Sequence, residues 1–278
     1  MLRKLLPDIG KRTLVMGVLN VTPDSFFDRG RFFDKKKAAM RAMEMASLGA
    51  DVIDIGGEST RPGSKEVPLE EELKRVVPVI ESVAGKIKIP VSVDTRKAPV
   101  AAAALKAGAR IVNDVSALTH DPVMADVAAK YEAAVILMHM KGTPGTMQKS
   151  PRYKDVIKDV SLYLKASIKT ALSAGIKKDD IIVDPGIGFG KTLEHNLEIL
   201  RGLRRFKALG CPLCIGTSRK SFIGRLQGSD DPSGRLVGTI ASGIIAVVNG
   251  ADILRVHDVK EAVESVMVAD GIIRKWQN

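Results

Sequence analysis

Three polar side chains that end short apolar runs are suited to binding a flat heterocycle. Asp94, Asn113 and Asp184 each follow a stretch that is mostly valine and isoleucine. A carboxylate accepts two hydrogen bonds, whereas an amide both donates and accepts. Together the three groups match a planar ligand with ring N–H, amino and carbonyl groups. Helix capping is the alternative for one such acid, but Asp114 and Thr95 are better candidates for that role.

Hydroxyl and cationic side chains that follow other apolar runs are suited to phosphate. They are Thr60, Arg61, Ser218, Arg219, Lys220, Arg255 and His257. The planar fork of an arginine matches phosphate oxygens well. Surface salt bridges are the alternative for Arg61 and Arg219. That alternative fits Arg255 less well, because Arg255 continues the apolar run of Ile253 and Leu254.

The metal-ligating residues favour magnesium over zinc. The four histidines are scattered along the chain, at His120, His139, His195 and His257, without His-x-His or His-Glu-x-x-His spacing. A magnesium ion carried by phosphate oxygens needs only one or two protein oxygens. Asn20, which ends the first apolar run, can supply one of them.

The glycine-rich segment 184–192 matches neither common nucleotide-binding template. A P-loop requires glycine where Pro185 stands, and Gly186, Gly188 and Gly190 do not give the Gly-x-Gly-x-x-Gly spacing. ATP and NAD are therefore not favoured. The glycines still allow the backbone to approach a ligand closely.

These residues belong to eight strand-like runs that alternate with helix-like stretches. We predict strands near 13–19, 51–56, 89–94, 109–113, 133–139, 180–184, 211–216 and 251–256. We predict helices near 34–48, 68–84, 96–107, 121–130, 153–173, 192–206, 232–249 and 258–275, with an extra turn after Ser218. Eight such units are typical of a (β/α)8 TIM barrel, an α/β fold whose active site forms where the strands end.

A weak internal repeat supports the barrel. Three segments share it: 49–54, 108–113 and 250–255. Each begins with Gly-Ala, which suits a helix end, and continues into an aliphatic pair, which suits a buried parallel strand. Each then ends on a polar residue, and equivalent positions should lie at similar heights in a barrel. We therefore expect Asp54, Asn113 and Arg255 to converge.

The composition indicates a single domain without disulfide bonds. A length of 278 residues suits one barrel, and no linker or low-complexity tract divides residues 1–278. Cys211 and Cys214 formally match a Cys-x-x-Cys redox motif. That chemistry requires the first thiol at a helix N-terminus. Because these cysteines lie in a strand-like run, we expect buried, inert thiols.

Charge and hydropathy limit the classes of partner. The formal net charge is +11, but the excess is scattered and only 4% of residues are aromatic, so nucleic-acid binding is not favoured. A basic surface can instead attract an anionic small molecule. Met1 to Arg12 has no apolar core of signal-peptide length, and the longest apolar stretch, Ile240 to Val248, is too short to span a membrane. We expect a cytoplasmic protein without membrane partners.

Eight segments together resemble the dihydropteroate synthase family of the folate pathway, the target of sulfonamides. In chain order they are 16–26, 49–63, 91–97, 112–114, 137–140, 184–191, 218–222 and 255–258. Each motif alone is weak, but eight in the family's order and spacing are highly specific. The resemblance covers almost the whole chain.

The resemblance implies a transferase that condenses 6-hydroxymethyl-7,8-dihydropterin diphosphate with p-aminobenzoate to 7,8-dihydropteroate and pyrophosphate. The pterin would be the flat heterocycle, held by Asp94, Asn113, Asp184 and Lys220. Early loss of pyrophosphate would leave a cationic methylene carbon for the arylamine to attack. Cationic groups and Mg²⁺ would stabilise the leaving group, and buried carboxylates would stabilise the cation. The catalytic residues would then be Lys220, Arg255, Asp94 and Asp184.

The resemblance also implies roles for the remaining strand ends. The diphosphate would be held by Thr60, Arg61, Arg255 and His257, with Asn20 at the magnesium ion. The residues around p-aminobenzoate would be Arg61, Pro62, Phe189, Lys220 and Ser221. Two strand ends stay unassigned: Asp54, which can orient Arg255 or its neighbours, and His139, which can close the barrel floor or wall.

Two long loops on the catalytic side are lid candidates, Thr22 to Phe33 and Gly56 to Pro68. The family's mobile loops resemble the first of these and Ser59 to Ser64. Phe27 and Arg29 stand where many members carry small residues. This difference leaves the conformation of the first loop and the drug sensitivity open.

The resemblance further implies a homodimer through the predicted helix near 232–249. Small residues along it favour close packing: Gly238, Ala241, Ser242, Gly243 and Ala246. The sequence leaves open whether they contact a partner or pack on the barrel.

Three other functions compete with the synthase. A methyltetrahydrofolate:corrinoid methyltransferase would share the pterin residues, but it needs no diphosphate clamp and so does not explain 59–63 and 218–221. An inactive relative that senses pterin or phosphate is argued against by the intact motif residues. Nucleic-acid binding rests on the net charge alone and would depend steeply on salt.

Overall fold

The barrel predicted from the strand-like runs is present. The computed structural model describes residues 1–22, 27–28, 32–61, 63–229 and 231–273. A short antiparallel hairpin in the loop after the first strand consists of β2 (Phe27–Asp28) and β3 (Phe32–Phe33). The eight parallel barrel strands are β1 (Leu14–Asn20), β4 (Val52–Gly56), β5 (Val91–Asp94), β6 (Ile111–Asp114), β7 (Ala134–Met138), β8 (Ile181–Asp184), β9 (Cys214–Ile215) and β10 (Ile253–Val256).

The strand order closes the sheet on itself. The strands follow the order β8-β7-β6-β5-β4-β1-β10-β9. A parallel bridge between Val183 and Leu213 joins β8 to the residue that precedes β9. All carboxyl ends of the strands therefore lie at one end of the barrel, where an active site is expected.

The helices alternate with the barrel strands. They are α1 (Leu2–Leu5), α2 (Lys35–Ser47), α3 (Leu69–Val83), α4 (Ala98–Lys106), α5 (Met124–Lys130), α6 (Val156–Ser173), α7 (Leu193–Arg201), α8 (Ser221–Gln227), α9 (Leu236–Val248) and α10 (Val259–Ile273). The (β/α)8 prediction is confirmed, and α8 is the extra turn expected after Ser218. The predicted helix 192–206 differs, because it divides at Gly202 into α7 and a 3-10 segment. No described helix combines the length and apolar character that a membrane crossing requires.

The strands are apolar on both faces because the barrel packs on its inside and its outside. Along β4, Val52 belongs to the interior cluster, whereas Ile53 belongs to the cluster between barrel and helices. Leu2 of α1 joins the interior cluster, and its backbone N–H donates to Asp180 Oδ1 at 2.6 Å. The short helix α1, which the sequence analysis did not predict, thus covers the end of the barrel opposite the strand ends.

The glycines of the internal repeat have the expected left-handed conformation. Their φ angles are +96° at Gly49, +120° at Gly108 and +101° at Gly250. A Cβ atom at Gly108 would lie 2.5 Å from the Ala84 Cβ atom. The repeat therefore marks real helix ends that turn the chain into a barrel strand.

The two cysteines are free and buried. Burial raises the pKa of Cys211 and of Cys214. A redox-active thiol requires the opposite shift. The expectation that both thiols are buried is confirmed, and the direction of the two pKa shifts agrees with unreactive thiols.

Candidate active site

The carboxyl ends of the strands bring the predicted heterocycle-binding residues together. Asp94, Asn113 and Asp184 lie in the last residues of β5, β6 and β8, and all three are buried. The strand register pairs Asp94 directly with Asn113. Arg255, on β10, reaches the same place through a hydrogen bond to Asp94. Four strands thus contribute polar groups to one cleft.

Arg255 lies between two carboxylates. Its Nε donates to Asp54 Oδ2 at 2.6 Å, and its Nη2 donates to Asp94 Oδ2 at 2.7 Å. Asp54 is fully buried, and its Oδ2 also accepts a hydrogen bond from Asn113 Nδ2 at 2.9 Å. Asp54 Oδ1 is buried without a hydrogen-bond partner in the described part of the chain. Arg255 and Asn113 therefore provide the compensation that a buried carboxylate requires, and Asp54 orients them both.

Burial is the largest cause of the pKa shifts of the ionisable side chains in the cleft. It raises the pKa of Asp94 to about 7, although Arg255 opposes the rise. It raises the pKa of Asp184 to about 6, against the effect of the Gly186 N–H. Burial also lowers the pKa of Lys220 to about 8, and nearby Arg255 adds to that shift. Groups that titrate near neutral pH are a recurrent property of functional sites.

A glycine-rich turn after β8 positions Asp184 and Phe189. Asp184 Oδ1 accepts a hydrogen bond from the Gly186 N–H at 2.7 Å. Gly186 has a φ of +71°, and a Cβ atom there would lie 2.0 Å from the His139 carbonyl oxygen. Only glycine therefore fits at this position. Phe189 is buried in an apolar cluster with Val115, Met138, Met140 and Met147.

Lys220 contacts the ring of Phe189. It directly precedes α8, and its Nζ lies 4.0 Å from the ring centroid. That distance is typical of a cation–π contact. Ser221, the first residue of α8, is exposed beside it. The structure thus brings together Phe189, Lys220 and Ser221, which the sequence placed on separate loops.

His257 and Arg219, from the last two strand loops, have different surroundings and different charges. His257 Nδ1 lies 2.9 Å from Ser218 Oγ, and burial, aided by Arg255, lowers the pKa of His257 to about 4. His257 is therefore a neutral hydrogen-bonding group at pH 7. Arg219 is exposed and pairs with Asp258 at 2.5 Å. Its contact is the surface salt bridge considered as the alternative.

The residues predicted on the two long loops are only partly described. Thr60 is partly buried and Arg61 is exposed, both between β4 and α3. Pro62 lies outside the described residues, as do 23–26 and 29–31 of the predicted lid, which include Arg29. Phe27 lies in β2 of the hairpin.

The loop after β4 is anchored by a buried ion network. Glu58 accepts hydrogen bonds from Arg96 Nη2 and Lys97 Nζ, both at 2.6 Å, and from the Val67 N–H at 3.0 Å. Arg96 and Lys97 follow Asp94 at the end of β5. Both ends of the loop are therefore tied to the segment that carries Asp94.

The loop between β7 and α6 forms a wall of the cleft that the sequence analysis missed. The Pro144 carbonyl accepts a hydrogen bond from the Gly63 N–H at 3.0 Å, which links this loop to the one after β4. Gln148 Nε2 donates to the Gly188 carbonyl at 2.8 Å, and Met147 packs in the cluster around Phe189. The Pro144-Gly145 pair signals a turn, but no sequence pattern signals these long-range contacts.

Asn20 is the candidate magnesium ligand. It ends β1, it is partly buried, and its side chain hydrogen-bonds to no other described residue. Within the described ranges, no group of three or more His, Cys, Asp or Glu side chains could hold a metal ion. A single amide oxygen fits a magnesium ion that takes its other ligands from substrate oxygens and water.

Comparison with known proteins agrees with this geometry. The sequence model of the family described as pterin binding enzyme matches residues 16–257. The dihydropteroate synthase of Synechocystis sp. is 48% identical over 267 residues, which cover 96% of this chain and 92% of that protein.

Two solved structures have the same fold over nearly their full length. Dihydropteroate synthase from Clostridium difficile, in the presence of pteroic acid, is 48% identical with a TM-score of 0.90, over 96% of this chain and 99% of that one. The Xanthomonas albilineans dihydropteroate synthase with 4-aminobenzoic acid is 44% identical with a TM-score of 0.88, over 95% and 94% of the two chains. The chain belongs to the pterin-binding enzymes, in the dihydropteroate synthase family.

Proposed function

We propose that the protein condenses 6-hydroxymethyl-7,8-dihydropterin diphosphate with p-aminobenzoate to form 7,8-dihydropteroate and pyrophosphate. The observation that carries this proposal is the position of Arg255, whose guanidinium contacts Asp54 and Asp94 in the cleft that also holds Asn113 and Asp184. Groups suited to the polar edge of a heterocycle and a group suited to an anion thus lie in one cleft. Membership of the dihydropteroate synthase family supports the same reaction.

The pterin binds, in this proposal, to atoms that the protein leaves unpaired. Asp94, Asn113 and Asp184 each use one side-chain atom in a contact within the protein. The remaining side-chain oxygens, which are Asp94 Oδ1, Asn113 Oδ1 and Asp184 Oδ2, hydrogen-bond to no described residue and are available to a ligand. Pterin N–H donors would favour the ionised carboxylates, against the effect of burial. Lys220 would donate to an acceptor on the same ring.

The diphosphate binds on the side of Arg255 away from its carboxylate partners. Arg255 Nη1 carries two N–H groups that no described residue accepts. Thr60, Arg61 and His257 add a hydroxyl, a cation and a neutral donor. Asn20 would hold a magnesium ion, which supplies Lewis-acid stabilisation of the departing pyrophosphate when it is bound.

We infer that the bond to the diphosphate breaks before the new C–N bond forms. Arg255 and Arg61 would stabilise the negative charge of the leaving pyrophosphate. Asp94 and Asp184 would stabilise the cationic methylene carbon on the pterin. The arylamine is nucleophilic when neutral, so it needs no strong general base. The main task of the p-aminobenzoate pocket is therefore to position the amine against the methylene carbon.

The p-aminobenzoate pocket, in this proposal, lies beside Phe189. The ring of Phe189 offers a flat apolar wall, and Lys220 lies against it. The exposed Ser221 adds a hydroxyl to the pocket. Pro62, which the family resemblance also assigns to this substrate, lies outside the described residues. The carboxylate of the substrate would then lie near a cation and a hydroxyl.

A homodimer is the proposed assembly, through α9 and α10. These helices pack against each other and expose apolar side chains, namely Val237, Ile245, Val248, Met267, Val268, Ile272 and Ile273. An exposed apolar surface of this kind marks an interaction site. The small residues Ser242, Gly243 and Ala246 are instead buried against the barrel. A second copy of the chain would therefore contact the large apolar residues and the exposed Ala241 rather than these three small ones.

We propose that residues 1–278 form one domain. We also propose that the protein lies in the cytoplasm. Two free, buried cysteines agree with a reducing environment. The proposed partners are small-molecule substrates and a second copy of the chain, without nucleic acid or membrane.

The reaction can be tested directly. Purified protein with both substrates and Mg²⁺ should release pyrophosphate and form 7,8-dihydropteroate, measured by a coupled assay and by chromatography. Omission of p-aminobenzoate, or chelation of magnesium, should reduce release to background. Methyl transfer from methyltetrahydrofolate without pyrophosphate release would contradict the proposal. Tight binding of the pterin diphosphate without any product would favour a sensor.

Two substitutions should separate the two sides of the cleft. Asp184→Asn should weaken pterin diphosphate binding by about 10–100-fold, because a charged acceptor is lost. Arg255→Ala should lower kcat by about 100-fold or more, because charge stabilisation of the leaving group is lost. Calorimetry and steady-state kinetics measure the two effects.

The controls for this pair are exposed residues of the same type, Asp179→Asn and Arg201→Ala. Both should leave binding and rate near the wild-type values. Each cleft variant must also show a cooperative unfolding transition, because Arg255→Ala removes the cationic partner of the buried Asp54 and leaves it only the Asn113 hydrogen bond. Equal and small effects of the two cleft substitutions would argue against separate pterin and diphosphate sides of the cleft.

The dimer should depend on α10. Light scattering should give twice the 29.9 kDa chain mass for the wild type. Val268→Glu should shift the protein to the monomer, because Val268 is 64% exposed and like charges would meet across a two-fold interface. The matched control is Leu162→Glu on α6, where the side chain is 57% exposed. A wild-type monomer, or an unchanged dimer in Val268→Glu, would refute this interface.

A further inference from the structure

Lys191 is a buried lysine at the end of the glycine-rich turn, and the proposed reaction gives it no role. Only 3% of its surface is exposed. Its Nζ lies 2.9 Å from His139 Nδ1, 3.0 Å from the Phe189 carbonyl oxygen and 3.5 Å from the His139 carbonyl oxygen. Three acceptors therefore lie within hydrogen-bond distance of the Lys191 amine.

His139 is arranged to serve as one of those acceptors. Burial lowers the pKa of His139 to about 2, and the charge of Lys191 adds to the shift. The imidazole is thus neutral and can accept at Nδ1. Its ring packs edge-on against Tyr163, with centroids 4.8 Å apart and an angle of 85°. Burial lowers the pKa of Lys191 to about 7, while nearby Asp184 opposes the shift.

Other side chains hold the same turn at neighbouring peptide groups. The Tyr153 hydroxyl donates to the Gly190 carbonyl at 2.7 Å. The Gly188 N–H donates to Asn196 Oδ1 at 2.7 Å. Lys191 provides the contact at the Phe189 carbonyl, which lies between these two glycines in the chain. The Phe189 N–H donates to the Gly186 carbonyl at 3.1 Å within the turn, whereas the Phe189 carbonyl accepts from the buried Lys191 Nζ at 3.0 Å.

The position of the glycine-rich turn determines where the Phe189 ring lies. The ring packs with Met138, Met140 and Met147 and contacts the Lys220 ammonium. A shift of the Phe189 backbone would move the ring relative to Lys220. The chain of contacts runs from His139 through Lys191 to Phe189 and then to Lys220.

We propose that Lys191 is a positioning residue for p-aminobenzoate, which acts through Phe189. The clasp between His139 and Lys191 fixes the ring that forms the wall of the second-substrate pocket. This inference rests on the proposed function, because it assigns Phe189 to that pocket. It also gives His139 a role at the catalytic end of the barrel, as the acceptor of the clasp.

The first test is the kinetics of Lys191→Met, which keeps the length of the side chain and removes its donors. The KM for p-aminobenzoate should rise about tenfold, equivalent to about 1.4 kcal/mol. The KM for the pterin diphosphate should change less than about twofold, because Asp94 and Asn113 lie on β5 and β6, and Asp184 keeps its own hydrogen bond from the Gly186 N–H. Lys169→Met, at an exposed lysine on α6, should leave both values unchanged.

A double-mutant cycle distinguishes positioning through Phe189 from a general structural effect. Phe189→Ala should itself raise the KM for p-aminobenzoate. If Lys191 acts through the ring, adding Lys191→Met to Phe189→Ala should produce little further rise. Additive effects in the cycle, or equal increases in both KM values, would overturn the proposal.

A second variant covers the case in which Lys191→Met does not fold. His139→Phe keeps a ring against Tyr163 and removes the Nδ1 acceptor, so the KM for p-aminobenzoate should rise about threefold or more with the pterin KM unchanged. An unchanged KM for p-aminobenzoate in this variant would contradict the clasp. A wild-type protein that forms no product contradicts the proposed function instead, so the two failures are distinguishable.

Discussion

The arrangement of the cleft depends on the placement of Arg255 between Asp54 and Asp94. Asp54 is fully buried, and its contact to Arg255 joins residues 201 positions apart in the chain. A buried carboxylate is tolerated only when a charge or hydrogen-bond donors compensate it. The barrel therefore has to bring β4, β5, β6 and β10 to one register before this pair can form. Once formed, the pair fixes the orientation of both the guanidinium and the Asn113 amide.

This ion pair also joins the two halves of the cleft. The carboxylates proposed for the heterocycle and the cations proposed for the phosphates are separate in the sequence. Arg255 nevertheless hydrogen-bonds to Asp94, and no described residue accepts from its Nη1. A ligand that contacts Asp94 and a ligand that contacts Arg255 therefore act on one hydrogen-bonded unit. That coupling suits a reaction in which negative charge leaves with the pyrophosphate while positive charge develops on the pterin methylene carbon.

The strand ends and the barrel were predictable because they depend on local patterns. Asp94, Asn113 and Asp184 each follow aliphatic residues, and the repeat glycines mark the helix ends that precede strands. The internal repeat predicted that Asp54, Asn113 and Arg255 converge, and their hydrogen bonds confirm it. The further contact of Arg255 with Asp94 was not predictable, because these residues lie on strands far apart in the sequence. The role of Lys191 was not predicted, because the sequence analysis considered only the glycines of segment 184–192. The partner of Lys191 is His139, 52 residues away in the chain. The wall formed by Pro144, Met147 and Gln148 left no periodic signal.

The measurement that tests the central claim most directly is the rate of p-aminobenzoate-dependent pyrophosphate release by Asp54→Asn. This change keeps the shape of the side chain and removes the negative charge that orients Arg255. A folded Asp54→Asn protein should lose about a hundredfold in kcat, equivalent to about 2.7 kcal/mol of transition-state stabilisation. A folded variant with a nearly wild-type rate would show that the cleft does not depend on this ion pair, and would contradict the account.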